Sequence, residues 1–225
     1  MTDKVVFFFD IDNCLYPRSY KIHDIMAKLI DDYFMERLNL SFNDASILHQ
    51  KYYKEYGLAI EGLVRHHEID PLEYNSKVDD ALPIAQVLKP DPKLKEFLLS
   101  FDKSKVKLWL FTNAYKTHAQ RVIKALDIEN IFEGVTFCDY SEPILICKPK
   151  PEMFERAMKD AGVSSNDKCY FIDDSYTNIK GAKEFGWNLT IQYIDPLDNP
   201  PPAKAGHYEL RDFLEIKALV PELFK

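Results

Sequence analysis

The chain has 225 residues, 46% of them hydrophobic and 29% charged, which is enough for one domain with a large insertion or two small ones and excludes a disordered class. A formal net charge of -7 gives no electrostatic reason to bind a nucleic-acid polymer or an anionic membrane surface, since each would meet charge of its own sign. Met1, Thr2, Asp3 and Lys4 lack the charge pattern and apolar core of a signal peptide, and no apolar run approaches membrane-spanning length. A soluble protein of the cytoplasm is expected, with the nucleus as the alternative compartment.

Val5 to Phe9 form an uninterrupted apolar run that stops on two acids, Asp10 and Asp12. So short a run predicts a strand buried on both faces, as at the centre of a parallel sheet, where ligands bind beyond the carboxyl ends of the strands. Taken alone, the two acids read equally as site groups or as ordinary turn residues. From Pro17 the pattern turns helical. Ile22, Ile25, Met26, Leu29, Ile30, Tyr33 and Phe34 recur every three or four residues and predict an amphipathic helix to about Leu38. Ser41 and Asp44 open a second helix in a looser form of the capping box, and a third apolar piece runs from Leu58 to Val64. Asp70 and Pro71 open a fourth, as cap and first helical residue. No strand is predicted between Pro17 and Pro90, so residues 18–89 are expected to be an all-helical insertion.

Beyond Pro90 helix and strand alternate in the manner of a doubly wound α/β sheet. A helix on Leu94, Phe97, Leu98 and Phe101 precedes a strand from Val106 to Phe111, which ends on Thr112 and Asn113. A helix through Val122, Ile123 and Leu126 leads to a strand from Val135 to Cys138, and Pro151 opens a helix that Gly162 stops. A strand from Cys169 to Ile172 ends on Asp173 and Asp174; a helix from Ile179 to Phe185 and a strand from Leu189 to Ile194 follow. Pro196 and the triplet Pro200 to Pro202 predict an extended surface segment before a short terminal helix. Cys14, Cys138, Cys147 and Cys169 have neither CxxC spacing nor a nearby His, which argues for buried reduced thiols over zinc; Cys14, beside the acids, is the one with a case for reactivity.

Parallel strands would put Asp10, Asp12, Thr112, Asn113, Asp173 and Asp174 on one sheet edge, with Lys148 opening a loop before a helix. Two unit charges about 4 Å apart cost about 4 kcal/mol at an effective dielectric of 20, so four carboxylates gathered there need a cation. An all-oxygen donor set without His or Cys suits Mg²⁺, which binds one or two carboxylates together with a substrate phosphate.

The segments DIDNCLY (10–16), LFTNA (110–114), CKPKPEMF (147–154) and YFIDDS (170–175) resemble, in order, the four motifs of the haloacid dehalogenase superfamily of phosphotransferases. The helical insertion after the first motif resembles that superfamily's type 1 cap. DIDNCLYP, LWLFTNAYKTHA and the insertion segment YYKEYGLAIEGLV are similar to fungal pyrimidine 5'-nucleotidases. The resemblance implies a Rossmann-type catalytic core of residues 1–17 and 90–225 with a cap of residues 18–89. It implies that Asp10 is the nucleophile, that Asp12 is the acid and base, and that Thr112 and Asn113 hold phosphoryl oxygens. Lys148 would neutralise developing charge, and Mg²⁺ would sit on Asp10, the Asp12 main-chain carbonyl and the fourth-motif acids, Asp174 directly and Asp173 directly or through water. Asn178 is read either as a plain first-turn residue or as steadying that acidic loop.

The expected activity is Mg²⁺-dependent hydrolysis of nucleoside 5'-monophosphates, UMP or CMP above all, by a monomer or weak homodimer. A phosphatase of sugar phosphates is the alternative, and a phospho-accepting signalling module a more distant one, since its order of acids differs from DxD. Dehalogenation is disfavoured by Asp12, which dehalogenases resembling this family lack. Tyr52, Tyr53, Tyr56, Arg65, His66 and His67 are the insertion's candidate groups for reading a base and a sugar, and Tyr16, after the catalytic loop, is a candidate substrate contact.

Overall fold

The computed structural model describes residues 3–225, so the leader reading lies partly outside the described residues, at Met1 and Thr2. Its centre is a parallel sheet of six strands: β1 (Val5–Phe9), β2 (Val106–Phe111), β3 (Val135–Thr136), β4 (Cys169–Asp173), β5 (Leu189–Tyr193) and β6 (Tyr208–Leu210), in the order β3-β2-β1-β4-β5-β6. β1 is central and pairs on both sides, Phe9 lying level with Leu110 and with Ile172. That register carries Asp10, Phe111 and Asp173 to one height, so the polar residues after each strand share an edge.

Alternation along β1 divides the core. Phe7 and Phe9 face one layer with Leu98, Phe101 and Leu110, while Val6 and Phe8 face the other with Phe111, Phe154 and Trp187. Phe8 stacks on Trp187 at a centroid distance of 4.7 Å. Each fully buried phenylalanine of this strand contributes about 1.5–3 kcal/mol by the area it removes from water.

Between β1 and β2 run α1 (Ile22–Leu38), α2 (Phe42–Tyr56), α3 (Ala59–His66), α4 (Pro71–Lys77), α5 (Ile84–Val87) and α6 (Pro92–Leu99). Ser41 caps α2 by accepting from the Asp44 N–H, and Asp70 caps α4 by accepting from Leu72, with Pro71 at the first helical position. Phe34, Tyr52, Leu63 and Val78 form a separate apolar cluster that also takes in Tyr115, Tyr140 and Cys147, so this helical layer docks over the polar sheet edge. Leu82, Ile84 and Leu88 join the core under the sheet. The remaining helices, α7 (Lys116–Ala125), α8 (Pro151–Ala161), α9 (Tyr176–Glu184) and α10 (Ile216–Leu219), flank the strands. No helix among the described residues is long and apolar enough to cross a membrane.

Strand ends differ from the sequence expectation at three places, β4 among them, which runs on to Asp173 rather than stopping at Ile172. β3 stops at Thr136 rather than Cys138, because its partner β2 ends at Phe111, level with Thr136, and turns away into the site. β5 stops at Tyr193 rather than Ile194. β6 was not expected at all: it has three residues, two of them exposed, and lacks the apolar run of an interior strand.

Candidate active site

The site begins with Lys148, which the fold places as a buried ammonium, 1% exposed, at the end of the sheet. Its Nζ donates to Asp10 Oδ1 at 2.7 Å, to Asp173 Oδ2 at 2.6 Å and to the Phe111 carbonyl at 2.7 Å, which uses all three of its hydrogens. Burial alone would lower its pKa; Asp10 and Asp173 more than offset this and hold it raised. Asn113 fixes the backbone that carries it: Asn113 Oδ1 accepts from Lys148 N–H at 2.7 Å, and Nδ2 donates to the Lys148 carbonyl at 2.9 Å. The side chain expected to hold a phosphoryl oxygen is therefore committed to positioning the lysine. Thr112 Oγ1 accepts from the Ala114 N–H at 3.0 Å, and its own hydrogen remains to be given.

Asp10 and Asp12 sit one residue apart in different surroundings. Among the described residues Asp10 Oδ2 has no hydrogen-bond partner, while burial and then Asp173 push its carboxyl well above the usual range against the pull of Lys148. Asp12 Oδ1 accepts from Tyr16 Oη at 2.5 Å and pairs with His118 Nε2 at 2.7 Å. Burial would raise Asp12, but His118 and Tyr16 outweigh it and hold the carboxyl below its usual range. Tyr16 is buried at the cavity wall, and its hydroxyl serves Asp12 instead of reaching into open space.

Asp173 is saturated. Its Oδ1 accepts from the Ser175 N–H at 2.7 Å, and Asn178 Nδ2 donates to Oδ2 at 3.1 Å, beside the Lys148 contact. Ser175, not either acid, caps α9 by accepting from the Asn178 N–H. Asp174 reaches outward to Arg18 at 3.0 Å, and burial with the neighbouring Asp173 pushes it up to about 7 although Arg18 opposes this. Carboxylate oxygens of Asp10, Asp173 and Asp174 all lie within 4.8 Å of one another. That spacing, with an all-oxygen donor set and with Asp10 and Asp174 raised by burial and then by Asp173, fits a hard divalent cation, and the unpartnered Asp10 oxygen and the outward Asp174 are the accessible donors.

A family model for haloacid dehalogenase-like hydrolases matches residues 5–186. The chain belongs to that family. Among relatives of this HAD-like hydrolase, phosphate metabolism protein 8 of Saccharomyces cerevisiae is 43% identical over 198 residues, covering 84% of this chain and 62% of the relative. The chain thus spans under two thirds of that relative's length. A glyceraldehyde 3-phosphate phosphatase of Pyrococcus abyssi is 26% identical over 193 residues, covering 80% of this chain and 78% of the relative. The Bacillus subtilis HAD-hydrolase YfnB, solved bound to magnesium, superposes with a TM-score of 0.63 over 97% of this chain and 99% of its own at 15% identity, which speaks to the fold.

The HAD-like hydrolase has a cavity of about 700 Å³ that runs from Asp10, Asp12 and Thr112 up between α1 and α2. Of the insertion groups expected to read a substrate, Tyr53 lines it; Tyr52, Arg65, His66 and His67 do not, nor does Tyr56. Tyr52 is buried and hydrogen-bonded to His67, Tyr56 to His66, and Arg65 to Glu61. Sequence reasoning passed over two residues of the site. His118 lies within LWLFTNAYKTHA, but on a helix whose register against β1 only the fold reveals, and Arg18 follows the first motif at an unremarkable position beside Pro17. The four cysteines are free and buried, and Cys14 is held firmly as a thiol by burial and by Asp10.

Proposed function

We propose that this chain is a Mg²⁺-dependent phosphomonoesterase that hydrolyses nucleoside 5'-monophosphates, with pyrimidine nucleotides such as UMP and CMP preferred, through an aspartyl-phosphate. The observation that carries the reading is the division of labour between Asp10 and Asp12. One carboxylate is held by Lys148 with an oxygen left over; the other is gripped by Tyr16 and His118 on a single oxygen.

The Asp10 carboxylate attacks phosphorus, and the bond from phosphorus to the ester oxygen breaks as Asp12 gives that oxygen a proton. Water then attacks the phosphoryl group on Asp10 while Asp12 takes its proton, releasing inorganic phosphate and restoring both carboxyls. Tyr16 and His118 keep Asp12 ionised at rest; a bound phosphate's negative charge pushes it back toward the protonated form that the first step uses. Lys148, the Thr112 hydroxyl and the Asn113 main-chain N–H balance the charge on the phosphoryl oxygens. Mg²⁺, held by Asp10, the Asp12 carbonyl and Asp174, with Asp173 behind them, would supply further charge neutralisation. Residues 18–89 act as the cap that covers the site and excludes water.

A sugar-phosphate substrate is the second reading, favoured by likeness to the glyceraldehyde 3-phosphate phosphatase of Pyrococcus abyssi. Phosphate release from a panel of nucleotides and small sugar phosphates, with Mg²⁺ and with EDTA, separates the two by relative kcat/KM. Asp10→Asn is expected to remove turnover on every substrate. Turnover that persists in Asp10→Asn, or in EDTA, would overturn the mechanism.

A further inference from the structure

The upper part of the cavity is built from two unlike walls. α1 offers Ile22, Met26 and Ile30, spaced four apart on one helical face, and α2 offers Ser46, His49, Gln50 and Tyr53 at i, i+3, i+4 and i+7, again on one face. The α1 wall is apolar along Ile22, Met26 and Ile30, with His23 and Asp31 of the same helix also lining the cavity. Each of the four α2 residues ends in a polar group, and among the described residues none of Ser46 Oγ, His49 Nε2, the Gln50 amide or Tyr53 Oη has a hydrogen-bond partner.

His49 is held in place for this. Its Nδ1 lies 2.9 Å from the buried Asp31 carboxylate, and its ring packs against Phe34 at 5.9 Å between centroids. A carboxylate oxygen accepts, so Nδ1 carries the hydrogen, and Nε2 is the ring atom left for a ligand. Gln50 adds both a donor and an acceptor, and Ser46 can give or take.

We propose that this α2 face reads the hydrogen-bonding edge of a pyrimidine base, whose flat faces pack against Met26 and Ile30 of α1. The inference rests on the nucleotidase reading and deepens it by naming the residues that select the leaving group. A three-carbon sugar phosphate has no apolar face to offer the α1 wall and does not need a cavity of about 700 Å³. A planar ring with polar edges uses both walls, and the balance of apolar lining with a few polar anchors is that of a small-molecule site.

The test compares kcat/KM for UMP and CMP with kcat/KM for p-nitrophenyl phosphate in the full chain with Mg²⁺, in wild type and in Gln50→Ala, Ser46→Ala and His49→Ala. The nucleotide-to-p-nitrophenyl phosphate ratio is expected to fall about 2- to 10-fold for each single change, the value of one hydrogen bond, and about 10- to 100-fold for Gln50→Ala with His49→Ala. Uridine and cytidine are expected to inhibit p-nitrophenyl phosphate hydrolysis competitively in wild type and more weakly in Gln50→Ala. Gln50 is exposed and unpartnered, so that variant keeps its fold even if loss of the Asp31 partner destabilises His49→Ala. An unchanged ratio together with undiminished nucleoside inhibition overturns this inference and leaves the nucleotidase reading standing. Wild type that turns over p-nitrophenyl phosphate but no nucleotide overturns the nucleotidase reading, and the inference with it.

Discussion

Asp79 shows how the site's electrostatics act on stability. It is buried at the cavity wall with Oδ2 lacking any hydrogen-bond partner among the described residues, and burial, against the pull of His118, raises its pKa to about 6. A carboxyl raised in the fold stabilises it below the unfolded pKa of about 3.9, and that contribution is lost as pH rises through about 6. At pH 7.5 the ionised side chain therefore costs about 3 kcal/mol, and at pH 4 only about 0.5 kcal/mol. Asp79→Asn is expected to raise the unfolding free energy from urea denaturation by about 3 kcal/mol at pH 7.5 and by only about 0.5 kcal/mol at pH 4. An equal effect at both values would show that shape, not charge, decides. At this scale the acids and Lys148 were legible because each follows a strand or opens the loop before a helix, positions that the fold brings together. His118 was not, since a lone histidine in a helix gives no sign of which face it turns, and Asn113 was legible as a site residue while its side chain's task was not.

The helices of the insertion were read from their punctuation: Ser41, Asp70 and Pro71 begin them where expected, because caps and proline act within one turn. Elements too short to punctuate were invisible. α5 has four residues behind Pro83, and β6 forms only because β5 offers an edge. How helices face one another was equally hidden: α2 turns Ser46, His49, Gln50 and Tyr53 to the cavity, while Tyr52 and Tyr56 pair with His67 and His66 away from it. Gly62 is where that facing is decided. A Cβ there would fall 2.1 Å from Tyr52 Cγ, so α3 can approach α2 only through the missing side chain. Gly62→Ala is expected to cost about 1–3 kcal/mol by overpacking, seen as a lower denaturation midpoint at constant slope. With Tyr52→Ala present the sign reverses, since alanine is then favoured over glycine in a helix by about 1 kcal/mol. A double-mutant cycle without that coupling would mean the two helices are held apart by something else.

Across the whole molecule, the sheet edge concentrates Asp10, Asp12, Asp173 and Asp174 against the buried Lys148 and the half-exposed Arg18. Burial and then the neighbouring Asp173 raise Asp10 and Asp174, and a divalent cation would relieve both. Binding and folding are then linked, because the unfolded chain does not gather these donors. At a Mg²⁺ concentration of 100 times Kd the native state gains about 2.7 kcal/mol. For a chain of this length that corresponds to a rise in Tm of about 5–10 °C. Asp174→Asn separates the two contributions. Removing a carboxyl that burial and Asp173 disfavour is expected to keep the metal-free Tm at or above wild type, because the Arg18 pair it breaks is half exposed and weak. The same change removes a metal donor and should abolish most of the Mg²⁺-induced rise, so the two melting curves cross as Mg²⁺ is added. Sodium chloride at matched ionic strength controls for screening, which would act on both proteins alike. If wild type and Asp174→Asn shift together, Mg²⁺ acts on general surface charge and the acids at the sheet edge do not form its site.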